Sequence, residues 1–355
     1  MDSKANILDG VRSWKIVLPV IIGLGATAWM FASEYTPESF SFFSFSMQSL
    51  LWFAVSFAMM LCRDAGYMLR IRILTDGELG WRRAFNVIML WEFTSAVTPS
   101  AVGGTSVAIF FVHSEGFSLG RSTGIVMVTS FLDELFFALV FPLVLLCIGF
   151  TDLFGADSAV ASSFVYFALL GYFIKLAYII VLSYGLFVNP RGLKWLLLFI
   201  FRLPLIRRWR VKANDLGSDL VQTSLYFRHW PLRKWLRAFA ATAVSWTARY
   251  WVVNTLVVAF FGLQCWSLHE HLVVFGKQLV MWVMMLVSPT PGGSGFAEYV
   301  FKEFLAGFIP AGTGVALALC WRLVSYYPYL ILGAFVAPRW VRRLTSKRKS
   351  NAKEQ

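Results

Sequence analysis

Charge is scarce in this chain. Only 14% of its 355 residues are Asp, Glu, Lys or Arg, while 58% are hydrophobic. A soluble domain needs far more polar surface, so a water-exposed globule is excluded. Cysteine is sparse as well. Cys62, Cys147, Cys265 and Cys320 lie far apart, in or beside apolar runs, with no CxxC or metal-ligand spacing. That excludes a disulfide framework and a zinc site. Polar stretches of any size are missing except at 188–237, which is too short for a separate soluble catalytic domain.

Motifs of soluble enzymes are equally poor. GLG at 23–25 lies inside an apolar run and lacks the rest of a dinucleotide fingerprint. HEH at 269–271 is not HExxH and reads as a solvated surface feature. GGSG around Ser294 resembles a piece of a nucleophile elbow, but no strand precedes it and no base is identifiable, so packing is the better account. No ATP-binding motif occurs, and no cofactor or metal is implied.

What is present is a succession of long apolar runs, with a mean hydropathy of +0.66. Such runs separated by short polar loops describe a polytopic helical bundle, not a barrel of weakly alternating strands. The first run follows MDSKANILDGVRSWK, is long enough to span and has no clear small-residue cleavage site, so it reads as a span, not a cleaved signal. The net charge of +13 is a second feature. The cations fall in loops between apolar runs. Their first meaning is therefore topology rather than nucleic acid. Attraction to anionic lipid headgroups is a further consequence.

Apolar segments cover 15–33, 46–62, 84–97, 122–150, 163–187, 238–262, 272–288 and 312–337. If all eight crossed fully, the acidic loop 151–163 would share a side with the cation-rich loop 63–83, against the positive-inside rule. If 84–113 and 272–309 instead enter and return, the charges sort. One side receives the N-terminus, loop 63–83, loop 188–237 with eleven Lys and Arg, and tail 338–355 with seven. The other receives 34–45, 151–162 and 263–271, none of which holds Lys or Arg. The expected fold is therefore an all-α polytopic membrane protein. It has about six full transmembrane helices plus two oppositely oriented re-entrant hairpins, in the manner of an inverted-repeat transporter. One transmembrane domain covers 1–337. Within it, 188–237 forms amphipathic helices on the cytoplasmic surface, and 338–355 is a basic cytoplasmic tail whose end, TSKRKSNAKEQ, is expected to be disordered.

The two hairpins carry similar breaks, SAVTPSAVGGTS (95–106) and SPTPGGSGFAE (288–298). Pro99, Gly103 and Gly104 in the first match Pro289, Pro291, Gly292, Gly293 and Gly295 in the second. Paired Gly/Pro interruptions in two oppositely oriented halves point to a transporter site. Unwound backbone is tolerated at membrane depth only where protein or a water-filled cavity satisfies it. The membrane segments also hold the acids Glu92, Asp133, Glu134, Glu298 and Glu303 and the bases Lys175, Arg249, Lys277, Lys302 and Arg322. Each costs about 2.5–3.5 kcal/mol or more at the bilayer centre unless paired or hydrated. Either they tie helices together, or some bind a polar headgroup or carry protons. Lys277, Lys302 and Glu303 suit snorkelling near an interface. Arg322, Arg249 and Lys175 lie mid-span, and the arginine fork suits phosphate. Half-helix N-termini after Gly104 and Gly295 add N–H donors for an anion.

TPSAVGGTSVAIFFVHSEG (98–116), FLDELF (131–136), PTPGGSGFAE (289–298) and WRLVSYYPYLILG (321–333) together resemble the lysylphosphatidylglycerol synthase transmembrane-domain family. The resemblance extends over nearly the whole chain, and PGG-x-G-x-x-E followed by R-x-x-x-Y-Y is its strongest part. It implies a helical, flippase-like membrane domain that moves or handles lipid-linked molecules. Pro99, Gly103, Gly104, Asp133, Pro291, Gly292, Gly293, Gly295, Glu298, Arg322 and Tyr326 match by position. Thr129 and Ser130 stand where many members carry Glu-Arg, with Glu134 as the replacement acid. No soluble aminoacyl-transferase domain is recognisable, so this chain is not expected to make lysylphosphatidylglycerol itself.

The expected function is translocation of a phospholipid or polyprenyl-phosphate-linked lipid across a bacterial-type inner membrane. Arg322, with Arg249 or Lys175, would hold the phosphate. Glu298, Asp133 and Glu134 would pair with these cations or exchange protons, and Tyr326 and Glu92 complete the expected substrate-binding set. Two other readings stand beside it: an intramembrane enzyme using Glu298 or Asp133 as general base on a lipid headgroup, and a scaffold for partner enzymes of a lipid or glycolipid pathway. Nucleic acid is not an expected partner.

Overall fold

The computed structural model describes residues 46–98, 101–154, 159–202, 207, 210–262, 267–285, 295–310 and 313–351, together with Gly25, Ala28, Trp29 and Ala32. Pro99, Pro289, Pro291, Gly292 and Gly293 lie outside the described residues. Within them every regular element is a helix. In chain order these are α1 (Met47–Leu74), α2 (Trp81–Val97), α3 (Ala101–Ser114), α4 (Leu119–Ile148), α5 (Phe150–Phe154) and α6 (Ala159–Ser183). After α6, a π-helical turn at Tyr184–Val188 leads to α7 (Pro190–Ile200), α8 (Arg210–Arg228) and α9 (Leu232–Phe261). The last four are α10 (Leu268–Met285), α11 (Phe296–Leu305), α12 (Gly314–Ser325) and α13 (Tyr327–Asn351).

Burial is inverted relative to a soluble protein. Arg63, Arg70, Lys175, Glu298 and Arg322 are buried, whereas Leu146 is 82% exposed, Phe173 60% and Phe335 61%. Only an apolar solvent reconciles these two facts. Among the described residues, four helical stretches are long and apolar enough to cross a membrane: Met47–Leu74, Leu119–Ile148, Ala168–Val188 and Gly314–Trp340. The chain is a polytopic helical membrane protein.

The chain divides into two compact units. The first comprises Met1–Met60, Trp91–Gly104 and Arg249–Pro338, and the second comprises Leu61–Leu90, Thr105–Ala248 and Arg339–Gln355. In the first, α11 packs on α10 and on α12. Phe93, Ala96 and Val97 of α2 form a small core with Tyr326 and Leu330. Gly333 passes so close to Phe93 that a Cβ would meet its ring at 2.2 Å. In the second, α8 packs along α7 and α4, and α6 lies against α4. Gly66 on α1 lets α9 approach: a Cβ there would fall 2.9 Å from the Ala241 carbonyl oxygen, and Ser245 Oγ donates to the Arg63 carbonyl at 3.0 Å.

Helix α4 continues through Pro142. Proline cannot donate to the carbonyl four residues back. Tyr172 Oη donates to that carbonyl, Ala138 O, at 3.2 Å instead. Protein, not lipid, satisfies the freed acceptor, as membrane depth demands.

Three expectations change. Residues 63–74 are helix, not loop, so Arg63 and Arg70 are buried rather than solvated. The chain turns only at Asp76 and Gly77, whose φ values are 54° and 80°. The segment 312–337 is not one helix. It breaks at Tyr326 because Pro328 has no N–H for the Val324 carbonyl and disfavours helical geometry before it. The final helix runs on to Asn351, through TSKRKS, which is rich in Lys and Arg, straight-chain residues that favour helix.

Candidate functional site: a buried ion pair at a broken helix

The first unit holds Glu298, Arg322, Tyr326, Arg249 and Glu92. Helix α11 starts at Gly295, whose φ of 80° is a conformation L side chains rarely adopt. Glu298, at the third helical position, reaches back and accepts the Gly295 N–H on Oε2 at 2.7 Å. This is the acidic half of a capping box, and it places negative charge at the positive end of the helix.

The same carboxylate faces Arg322 of α12. Arg322 Nε donates to Oε1 at 2.8 Å and Nη2 to Oε2 at 3.2 Å. The pair is bidentate, and the side chains are 5% and 1% exposed. Charge-assisted forked bonds are the strong class of hydrogen bond. The guanidinium lies 4.7 Å from the Tyr326 ring centroid and 5.1 Å from that of Trp321, which stacks on Phe301.

Tyr326 extends the network. Its hydroxyl donates to the Ala96 carbonyl at 3.0 Å, one of the terminal acceptors where α2 stops. Its own N–H closes α12 on the Arg322 carbonyl at 2.9 Å. A continuous path therefore runs from the end of α2 through Tyr326, Arg322 and Glu298 to the start of α11. Residues 95–98, 101–104 and 295–298 of the two Gly/Pro motifs fall in this one unit, whereas Thr105 and Ser106 of the first motif belong to the other. Gly104 is not a helix start, contrary to the expectation from the sequence. It lies inside α3, where a Cβ would meet Ser95 Oγ at 1.9 Å, so close packing is its role. Arg249 lies 5.8 Å from the Trp282 ring centroid, and Glu92 is half-buried on α2.

The second unit holds Asp133, Glu134 and Lys175. Asp133 accepts from Arg70 Nη1 at 2.5 Å and from Trp246 Nε1 at 2.6 Å. Arg70 also donates to Thr242 Oγ1 at 3.2 Å. Arg63 and Arg70 both lie 4.7 Å from the Tyr67 ring centroid. Glu134 accepts from Lys175 Nζ at 2.8 and 2.7 Å on its two oxygens, and Lys175 lies over Phe137. The structure thus groups the expected residues by unit, with Glu298 bonded to Arg322 in one and Glu134 bonded to Lys175 in the other. Arg70, Thr242 and Trp246 are additions that sequence reasoning missed. A continuous helix up to the Asp-Gly turn at 76–77 was the signal available for Arg70.

HEH at 269–271 has structural duties. Glu270 accepts from Ser267 N at 2.6 Å and Ser267 Oγ at 2.7 Å, and Ser267 Oγ accepts from Glu270 N at 3.3 Å, which caps α10. These bonds hold its carboxyl below the usual glutamate range. His271 pairs through Nδ1 with Asn254 Oδ1 at 2.8 Å.

Comparison with known proteins agrees with this architecture. A UPF0104 membrane protein of Archaeoglobus fulgidus is 25% identical to the chain over 330 residues, which is 90% of this chain and 94% of that protein. No solved structure matches the chain. The lysylphosphatidylglycerol synthase transmembrane-region family matches residues 16–333. With that match covering nearly the whole sequence, buried charges included, the chain belongs to the lysylphosphatidylglycerol synthase transmembrane-region family.

Proposed function

We propose that this protein is a lipid translocase, a flippase or scramblase, for a phospholipid or polyprenyl-phosphate-linked lipid in a bacterial-type cytoplasmic membrane, with both termini in the cytoplasm. The observation that carries the reading is the buried, forked Glu298–Arg322 pair at the start of α11. A guanidinium and a helix N–H converging on one anion match the donors a headgroup phosphate needs. Glu298 occupies those donors in this structure. Asp133 with Arg70, and Glu134 with Lys175, are the other buried ion pairs that the proposed function would use. The positive segments 188–237 and 338–355 favour the cytoplasmic face. Transport draws on an ion gradient, the membrane potential or the lipid gradient.

Headgroup accessibility in proteoliposomes tests this. Wild type should move a labelled phospholipid without altering it chemically. Arg322→Lys, which keeps the charge and loses the fork, should slow that movement at least about tenfold, the effect of about 1.4 kcal/mol. A chemically changed lipid would favour an intramembrane enzyme. Unchanged movement in Arg322→Lys would sink the phosphate site.

A further inference from the structure

The proposed function gives Glu298 a place on the phosphate donors but not what becomes of it when a headgroup arrives. A phosphate site needs donors, and an arginine beside a helix N-terminus supplies them alone. Yet a carboxylate that is 1% exposed sits on those same donors. Glu298 takes Nε and Nη2 of Arg322 and the N–H of Gly295, so it fills the site that a phosphate oxygen pair would fill.

Charge balance within the Glu298–Arg322 pair then constrains an incoming anion. Arg322 with ionised Glu298 is neutral. Adding a phosphodiester monoanion beside an ionised Glu298 leaves a buried net negative charge, which the membrane interior opposes strongly. Neutrality returns if Glu298 takes up a proton as the phosphodiester replaces it on Arg322. The protonated carboxyl keeps an acceptor oxygen for Gly295 N–H and gains an O–H donor for the phosphate.

We infer that Glu298 is a built-in occupant of the Arg322 anion site, and that a phosphodiester headgroup displaces it with uptake of a proton by Glu298. This rests on the reading of Arg322 as the phosphate residue. No covalent bond changes: the proton comes from water and the carboxylate leaves the guanidinium. Arg322 of α12 makes a direct charged contact with Glu298, and Tyr326 packs against that guanidinium. Lys302, one turn along α11, has its stem beside Gly314, and Glu303 follows it. On α10, Lys277 lies over Phe304 and Phe308, and His269, Glu270 and His271 stand in its first turn. Glu92 of α2 and Arg249 of α9 belong to the same unit.

The test is titration calorimetry of the full chain in maltoside micelles at pH 7, in two buffers of different ionisation heat. The probes are dioctanoylphosphatidylglycerol and its deacylated form, glycerophosphoglycerol. Wild type is expected to take up about one proton per lipid bound, as linkage requires. Glu298→Gln is expected to bind the same lipid at least as tightly with no proton uptake, since its glutamine keeps an acceptor and leaves Arg322 without a competing charge. Equal binding and uptake with glycerophosphoglycerol would support the exchange with a free anion as occupant. Wild-type binding without uptake overturns this inference and leaves Arg322 as the phosphate residue. So does uptake that persists in Glu298→Gln. No binding of either probe by wild type overturns the phosphate reading itself, and this inference with it.

Discussion

Breaking the Glu298–Arg322 pair from either side should cost far more than removing both charges. Arg322→Met leaves a carboxylate that is 1% exposed without its guanidinium. Orphaning one member of a buried pair costs about 3–5 kcal/mol. Glu298→Gln strands the arginine and falls in the same range, about 3–5 kcal/mol. The double variant Glu298→Gln/Arg322→Met buries no charge, and its glutamine still accepts the Gly295 N–H. Replacing a whole buried ion pair by uncharged residues of similar size is commonly neutral, because the desolvation cost of both charges goes with it, so its loss should stay below about 3 kcal/mol, the least that orphaning one member costs. The double variant should therefore be more stable than either single one, with a coupling energy of at least about 3 kcal/mol, read from reversible denaturant unfolding in micelles. Additive losses would refute the argument, because they would mean that each side chain finds other partners of equal worth.

Tyr326→Phe removes the bond to the Ala96 carbonyl. It should cost about 1–3 kcal/mol, since a buried acceptor loses its donor, and hydrogen exchange should rise at the end of α2 and the start of α13. The cap on α10 makes stability depend on pH. Glu270 is ionised more readily folded than unfolded. Its contribution is full above the ordinary glutamate value, near 4.3, and fades as pH falls through the lower folded value. Glu270→Gln should flatten that part of the stability curve, and an unchanged acid limb would count against the cap. For topology, in a cysteine-free background, Asp157→Cys should react with an impermeant thiol reagent from outside and Asp215→Cys only after permeabilisation. The reverse pattern would overturn the assigned sidedness.

How much of the molecule is legible in the sequence varies with the physics behind each feature. Apolar runs point to the helical membrane class, because nothing else accounts for 58% hydrophobic residues beside buried charges. Glu298 and Arg322 are readable as an acid and an arginine too deep to leave alone. That each is the other's partner is not readable, since Glu298 is also four residues from Lys302 and helical spacing favours that pair equally. Arg63 and Arg70 read as loop residues because the positive-inside rule starts the loop where the cations begin. The helix obeys the backbone instead and runs to Leu74, just before φ turns positive at Asp76 and Gly77. The break at Tyr326 is written in SYYP but hidden by the apolar residues on both sides.

The most direct check of the central claim is selectivity for phosphate. In proteoliposomes, wild type should move a fluorescent phosphatidylglycerol well ahead of a fluorescent glucosyl-diacylglycerol, which has no phosphate. Arg322→Lys should shrink that ratio toward one while the folded fraction stays high. Equal rates for both lipids in wild type, or a ratio that survives in Arg322→Lys, would contradict the assignment of Arg322 as the headgroup phosphate residue.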